Sequence, residues 1–199
     1  MKRWMLSFIL AIGLAVAAMA QSTQNVYVLN TLGQTVSRVE LATGAVQKNA
    51  VTAGLYTNQV RIRKDKMFIV NSGYNAIQVV DVNTLTTVDS INVGTGTNPY
   101  YMDFVNDSIA VVSLLFTNQI AVVNLNTGQV VTTVSTGNGP EGIKYVNGKV
   151  YVANSGYNGQ GYDPGTLTVI DATSWQVVDT ISVGLNPQFI DVDANGQLY

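Results

Sequence analysis

The amino-acid sequence predicts an all-β fold, a β-propeller built from four-stranded antiparallel blades. Three observations carry this prediction: a regular repeat, several apolar runs of strand length within each repeat, and turn-forming residues between those runs. The composition agrees, because charged residues make up only 11% of the chain and its polarity comes from Asn, Thr, Gln, Ser and Gly. Such a mixture, with many Val and Thr, suits strands joined by tight turns.

The repeat is clearest in four short apolar runs. They are residues 26–30, 67–71, 109–113 and 150–154, and their first residues are 41, 42 and 41 positions apart. A period of about 40–45 residues with several strands per unit is typical of propeller blades. Each run is apolar at consecutive positions, as expected of a strand that is covered on both faces.

Three further runs complete each repeat: a second after the first, a third that ends near a Gly, and a fourth that precedes the next repeat. The second runs are residues 36–41, 77–82, 120–125 and 167–172, the third are 46–54, 88–94, 131–137 and 178–184, and the fourth are 60–63, 102–105, 143–146 and 190–193. Each repeat therefore predicts four antiparallel strands, which we label A (inner, the fourth run), B, C and D (outer). Asn147-Gly148 and Asn195-Gly196 predict two-residue hairpin turns between strands A and B, because Asn-Gly tolerates the positive φ that these turns need.

The phrase VYVANSGYN, followed by LTVIDATSWQVVDTISVGLNPQFIDVDANGQ, resembles the YVTN-type β-propeller repeat, the group that includes YncE-like proteins. The resemblance covers residues 26–199, and its most specific parts are the Gly-x-x-Pro joint (Gly184 and Pro187) and the V-I-D-x-x-T/S phrase. Thr57 stands where the other repeats have Pro, so the first copy departs from the pattern. The resemblance implies a seven-bladed, secreted bacterial protein, of a kind that often has no assigned enzymatic activity.

The repeats in this chain amount to about four blades. After residue 20 the chain begins at strand B, runs through three complete blades and stops one strand into the next. We favour an incomplete chain, part of a seven-bladed ring. Two alternatives stay open: the strand after Pro187 closes a four-bladed ring by pairing with residues 26–30, or another chain supplies the missing blades.

Residues 1–20 have the layout of a secretory signal peptide. Met1-Lys2-Arg3 is a short basic start, residues 4–17 are predominantly apolar without charge, and Ala18-Met19-Ala20 is a small-x-small site. A membrane-spanning helix needs about 20 apolar residues, more than this run contains. We expect cleavage near Ala20-Gln21, and residues 21–199 then form the propeller repeats in the periplasm or outside the cell, without a transmembrane segment.

The composition excludes several classes of chemistry for the residues in this sequence. There is no His and no Cys, which excludes a Ser-His-Asp triad, a Cys nucleophile and imidazole- or thiolate-bound metals and haem. The net charge is −2, so no basic field attracts nucleic acid. We predict no cofactor and no metal site.

The order of the strands indicates where a ligand would bind. Because successive strands run in opposite directions, the B–C loops and the joints between D and the next A lie on one face of the propeller. This face collects Tyr and Asn side chains, which make an adaptable contact surface. The candidate ligand-binding residues there are Tyr74, Tyr100, Asn118, Glu141, Tyr157, Tyr162, Asp163 and Gln188. The alternative is that these residues only form turns, with Tyr packed over blade edges.

The B–C loop of residues 154–166 is longer than its counterparts, and insertions in a repeat tend to map to the binding face.

Strand A carries a second pattern. Its fourth position after the joint is charged in every repeat, with alternating sign: Arg61, Asp103, Lys144 and Asp191. We predict an inner-strand charge ring with the ion pairs Arg61–Asp103 and Lys144–Asp191, and with Asp103–Lys144 between them. We interpret this ring as electrostatic register between blades rather than as a catalytic site.

These observations favour an exported, non-enzymatic propeller that acts as a ligand- or protein-binding scaffold at the cell envelope. Its partner would be an unidentified ligand, a glycan or a cell-surface protein. The first alternative is a propeller enzyme of lactonase or quinoprotein-dehydrogenase type, which could use Asp, Glu, Arg and Lys without His. The second is a purely structural repeat array on the cell surface.

Overall fold

The computed structural model describes residues 24–199, so the signal peptide predicted for residues 1–20 lies outside the described residues. The described strands form four antiparallel sheets, which confirms the predicted propeller fold. Among these residues no helix has the length and apolar character needed to cross a membrane.

Each sheet is one blade whose strands are neighbours in the order of the chain. The first blade contains β1 (Asn25–Asn30), β2 (Thr35–Glu40) and β3 (Val46–Thr52). The second contains β4 (Thr57–Arg63), β5 (Lys66–Asn71), β6 (Ala76–Asp81) and β7 (Thr86–Asn92). The third contains β8 (Pro99–Phe104), β9 (Ile109–Leu114), β10 (Gln119–Asn124) and β11 (Gln129–Ser135). The fourth contains β12 (Pro140–Val146), β13 (Lys149–Asn154), β14 (Pro164–Asp171) and β15 (Val177–Leu185).

The strand predicted at residues 190–193 is reduced to an isolated bridge, although its predicted pairing with the residues that follow Asn195-Gly196 is present. Val192 pairs with Leu198 in an isolated bridge, and Asp191 and Tyr199 exchange two backbone hydrogen bonds of 2.9 and 3.0 Å. The segment after Pro187 therefore folds into a short hairpin. In the structure β1 pairs with β2 alone, so the closed four-bladed ring is not formed by residues 24–199.

The two Asn-Gly pairs also differ. Asn147 and Gly148 both have positive φ, 49° and 83°, as the predicted two-residue turn requires. In the second pair Gly196 alone has a positive φ, 80°, and its N–H donates to the Asp193 carbonyl at 3.0 Å. That geometry gives a three-residue loop instead of the predicted two-residue turn.

The core lies between blades. Met67 and Ile69 of β5 pack against the first blade, whereas the intervening Phe68 and Val70 pack against the third blade. A strand points successive side chains to opposite faces, so both neighbours of β5 bury it. This explains why the run at residues 67–71 is apolar at consecutive positions.

Candidate functional site: a ligand-binding face of loops and joints

The B–C loops and the D–A joints lie together, and we call this surface the loop face; the opposite surface, made of A–B and C–D turns, is the turn face. Backbone hydrogen bonds tie each full blade's B–C loop to the joint that precedes that blade. Gly73 donates to Leu55 at 2.9 Å, Leu115 donates to Asn98 at 3.1 Å, and Ser155 donates to Gly139 at 2.8 Å. The loops that carry candidate residues are therefore fixed to the sheet scaffold.

Two cavities open on the loop face. The first, of about 380 Å³, is lined by Leu115, Phe116, Asn118, Asn138, Tyr157, Asn158 and Gly159. The second, of about 450 Å³, is lined by Tyr56, Asn58, Ser72, Gly73, Asn75, Gly96, Asn98, Tyr100 and Phe116. Phe116 lines both cavities, and each has a volume in the usual range for small-molecule sites.

Aromatic rings form a chain beside the first cavity. The centroids of Phe116 and Tyr157 are 6.4 Å apart, and those of Tyr157 and Tyr162 are 5.7 Å apart. Phe116 is 59% exposed and Tyr162 is 51% exposed, so large areas of both rings face solvent. Together the three rings form an exposed aromatic surface along one edge of the cavity.

Asn side chains hold the backbone around the first cavity. The Oδ1 of Asn118 accepts the N–H of Gly139 at 2.9 Å, and its Nδ2 donates to Asn138 Oδ1 at 3.3 Å. One end of the Asn118 amide therefore fixes the joint before β12. Its other end orients Asn138 beside the cavity.

The insertion between β13 and β14 is an ordered miniature hairpin. Tyr157 and Tyr162 form an antiparallel bridge, and Asp163 N–H donates to the Gly156 carbonyl at 2.8 Å. Gly156 is required here, because its φ is 81° and a Cβ would lie 2.1 Å from the Asp163 carbonyl oxygen. The Asp163 carboxylate accepts from Asn158 Nδ2 at 3.2 Å, so it closes the hairpin. Residues 24–199 contain no group of three carboxylates that could hold a metal ion.

Glu141 is a buried carboxyl group behind the loop face. Its side chain is 4% exposed, and its Oε2 has no hydrogen-bond partner in the structure. Burial raises the pKa of Glu141, and a contact with the Ser155 hydroxyl partly offsets that rise. Burial also raises the pKa of Tyr100, with smaller contributions from Glu141 and Tyr162.

The structure brings some predicted site residues together and separates others. Asn118 and Tyr157 line the first cavity, Tyr162 stacks beside it, and Tyr100 lines the second. Five of the eight predicted residues line neither cavity: Tyr162 and also Tyr74, Glu141, Asp163 and Gln188.

Tyr74 and Gln188 lie close to glycines of neighbouring segments. The Tyr74 ring lies against Gly54, where an added Cβ would be 2.8 Å from Tyr74 Cδ2. The Gln188 carbonyl lies against Gly142, where an added Cβ would be 2.7 Å from it.

Phe116 is the main residue that the list of candidates lacked. It is the second residue after β9, and the equivalent positions in the other blades are Leu32, Gly73 and Gly156. In the sequence, Phe116 differs from the other repeats by placing a phenyl group in the B–C loop where two of them have Gly. The second cavity also includes Tyr56 and Asn98, which the strand order placed on this face without singling them out.

Comparison with known proteins identifies the fold family. Residues 36–194 match the family described as YNCE-like beta-propeller. The chain belongs to this family. No curated protein matches the sequence of this YNCE-like propeller.

Solved structures share its architecture at low identity. Hydrazine synthase from Kuenenia stuttgartiensis is similar with a TM-score of 0.77 and 18% identity, over 86% of this chain and 50% of that chain. A protein assigned as a 6-phosphogluconolactonase from Bacteroides fragilis has a TM-score of 0.70 and 15% identity, over 87% and 59% of the two chains. The WD40 propeller domain of Doa1 has a TM-score of 0.68 and 13% identity, over 83% and 53%. The YNCE-like chain thus spans about half the length of these proteins, and identities this low show the fold alone.

The predicted inner-strand charge ring is divided in the YNCE-like propeller. Arg61 forms an ion pair with Asp103, and the other oxygen of Asp103 accepts the N–H of Tyr145 at 2.9 Å. Lys144 lies 3.5 Å from Asp191, whose side chain is 84% exposed. Among residues 24–199 no ion pair joins Asp103 to Lys144; the second Asp103 oxygen bonds to the backbone of the fourth blade, and Lys144 pairs with Asp191.

Charged and polar groups on the turn face close their own turns. Asp81 Oδ1 accepts the N–H groups of Asn83 and Thr84, and Asp171 Oδ1 accepts those of Thr173 and Ser174. Asn124 makes the equivalent bonds in the third blade. Strand C therefore ends in a turn cap, as its Asp and Asn residues predict.

Proposed function

We propose that the protein is an exported, non-enzymatic propeller that binds a ligand or partner through its loop face. The observation that carries this proposal is the pair of adjoining cavities that share the exposed Phe116. Exposed aromatic rings and amide side chains held on a rigid scaffold are the usual components of a recognition surface.

The residues that line the two cavities favour binding over catalysis. None of them is Asp, Glu, Lys or Arg, and Ser72 is the one aliphatic hydroxyl among them. General acid–base and nucleophilic catalysis need a titratable group within hydrogen-bond reach of the reacting atom. The cavities offer contact area and hydrogen bonds, and little that could transfer a proton at neutral pH.

The amino-terminal residues support the proposed export. The basic start, the apolar run of residues 4–17 and the small-residue site at Ala18-Met19-Ala20 support cleavage near Ala20-Gln21. The proposed location is the periplasm or the cell exterior, where a propeller of this kind would meet envelope glycans and surface proteins. Fractionation of cells that express the full chain checks this part, and mature protein retained in the cytoplasm contradicts it.

One observation favours an enzyme as the second candidate. Glu141 is a buried carboxyl group with an unpaired oxygen and a raised pKa, properties that general acids share. A likeness in fold to a protein assigned as a 6-phosphogluconolactonase agrees with this candidate without establishing it. Lactone hydrolysis that is present in the wild-type protein and lost in Glu141→Gln would support the enzyme and oppose the binding protein.

The decisive experiment for binding uses the double variant Tyr157→Ala/Tyr162→Ala. Purified wild-type and variant proteins are tested on glycan arrays, peptide arrays and isolated peptidoglycan, after circular dichroism has shown that both are folded. Tyr74→Ala is the matched control, because Tyr74 is 60% exposed on the same face but lines neither cavity. We expect the double variant to lose binding that Tyr74→Ala retains; unchanged binding by the double variant rejects the site.

A further inference from the structure

The two cavities meet at one apolar residue. Phe116 lines both of them, and its ring is tilted by 32° from that of Tyr157. Tyr56, which is 62% exposed, lines the second cavity. Aromatic faces carry partial negative charge and attract the C–H groups on one side of a saturated ring. Because Tyr157 lines one cavity and Tyr56 lines the other, the two cavities suit a ligand long enough to occupy both.

Neither cavity is lined by a charged side chain, although the chain has 10 Lys and Arg and 12 Asp and Glu residues. A phosphate, a carboxylate or an ammonium group would lose its hydration there without gaining a partner of opposite charge. The lining therefore selects against ionic ligands. It favours a neutral molecule.

Amide groups at the cavities are available for hydrogen bonding. The Nδ2 of Asn138 and the side-chain amide of Asn98 bond to no atom among residues 24–199. Both residues are nevertheless held in place. Asn138 accepts from Asn118, and the Asn98 backbone N–H donates to Asn75 Oδ1 at 3.1 Å. The Asn138 amide is thus oriented through its oxygen, the Asn98 amide stands on a fixed backbone, and their free donors and acceptors suit a ligand that carries many hydroxyl groups.

Loops and joints bound both cavities, so they present no unpaired strand edge. A peptide bound in extended conformation usually adds a strand to such an edge. Hydroxyl groups for the amides, C–H faces for the rings and the absence of charge are together the properties of a neutral sugar chain.

We propose that the loop face binds an uncharged oligosaccharide, which lies across Phe116 and places sugar rings in both cavities. This proposal rests on the proposed function, because it names the ligand class of the same site. Phe116 stacks against one sugar ring of the ligand. Asn138 hydrogen-bonds to sugar hydroxyl groups in the first cavity, and Asn98 does so in the second.

The test is isothermal titration calorimetry of the full mature chain with neutral oligosaccharides: gluco-, xylo- and mannooligosaccharides of several linkages. Oligogalacturonates and neutral peptides serve as contrasting probes. We expect at least one neutral oligosaccharide to bind, Phe116→Ala to weaken that binding about tenfold or more, and Phe116→Trp to retain it. Leu32→Ala is the matched control, since Leu32 is 95% exposed at the equivalent loop position and lines neither cavity.

The outcomes separate the two proposals. Phe116-dependent binding of a neutral oligosaccharide supports both. Phe116-dependent binding of only the acidic sugar or a peptide overturns the ligand class and leaves the binding face in place. If no probe binds in a way that depends on Phe116, Tyr157 or Tyr162, both proposals are overturned.

Discussion

The loop face and the turn face are formed by opposite ends of the same strands, yet their polar groups are used differently. On the turn face, the carboxylates of Asp81 and Asp171 accept hydrogen bonds from the backbone of their own turns. On the loop face, Asn98 and Asn138 are held by neighbouring residues but keep side-chain groups unpaired among residues 24–199. The turn face also carries charged side chains, where Asp107 forms ion pairs with Arg63 and Lys64, whereas the two cavities of the loop face are lined by none.

The polar residues of the two faces therefore differ in whether their hydrogen-bonding groups are already paired within the protein. A carboxylate that caps a turn is already satisfied and stabilises the fold. An amide that fixes a loop with one atom and leaves another free can serve a ligand without weakening the scaffold. The predictions below test this division between a stabilising half and a binding half of each blade.

The largest loss of stability is expected in the inner strands, where the buried carboxylate of Asp103 is fully hydrogen-bonded. Asp103 is 7% exposed, and Asp103→Ala would leave the Arg61 guanidinium and the Tyr145 N–H without their acceptor. We expect a loss of about 2–3 kcal/mol in the free energy of unfolding, measured in urea. Lys144→Ala is the control: its partner Asp191 is 84% exposed, so its unfolding curve should match the wild type. Equal losses in both variants would contradict this account of the inner strands.

A pair of aromatic substitutions separates the two faces. Trp175 of the turn face is half-buried against the core between the third and fourth blades, whereas Phe116 is 59% exposed. Trp175→Ala should cost about 1–2 kcal/mol of unfolding free energy from lost burial and leave ligand binding unchanged. Phe116→Ala should cost less than about 0.5 kcal/mol and weaken ligand binding about tenfold or more. A Phe116→Ala protein as unstable as Trp175→Ala would show that Phe116 is a structural residue.

Acid should weaken the turn face. The hydrogen bond from Lys66, with those from the Thr84 and Asn83 backbone, lowers the pKa of Asp81 from 3.8 to about 2. A carboxyl group whose pKa is lower in the folded state stabilises the fold when the pH is above its unfolded-state pKa. That stabilisation disappears as the pH falls from about 4 to about 2. Asp81→Asn should therefore show a shallower decrease in melting temperature over this range. An identical pH profile for the variant would mean that the cap contributes nothing.

Glu141, behind the loop face, should respond in the opposite direction and with the smallest effect. Burial raises its pKa above the ordinary value of 4.5, so the folded state holds its proton more tightly than the unfolded state does. That contribution to stability is complete below pH 4.5 and is lost as the pH rises through the folded-state pKa. Glu141→Gln should remove this loss, which melting temperatures measured between pH 4 and pH 8 would detect. If the melting temperature of the wild type falls no more steeply with pH than that of Glu141→Gln, the claim that burial raises the pKa of Glu141 is contradicted.

Much of the fold could be predicted because it depends on local pattern. Apolar runs such as residues 67–71 specify strands that two neighbouring blades cover, and Asn147-Gly148 specifies its turn through backbone conformation. The segment at residues 190–193 has the composition of a strand, yet its pairing with residues 197–199 is limited to a short hairpin. Pairing partners are a property of the whole structure and not of the segment.

The candidate site could be predicted only as a face. Strand direction placed the B–C loops and D–A joints together, and this required no side-chain geometry. Which residues line a cavity depends on how the loops pack, and this removed Glu141 into the interior and gave Asp163 a partner in its own hairpin. Phe116 has no polar atom, so the pattern of Tyr and Asn residues did not indicate it.

A nitrogen-15 NMR titration of the Asn side-chain amides tests the division between the two faces most directly. Each oligosaccharide, peptide or acidic sugar that binds is added to the labelled full chain. The resonances of Asn98, Asn118 and Asn138 on the loop face should shift, while those of Asn83 and Asn126 on the turn face stay in place. Shifts confined to Asn83 and Asn126, or saturation without movement of any loop-face amide, would contradict the account.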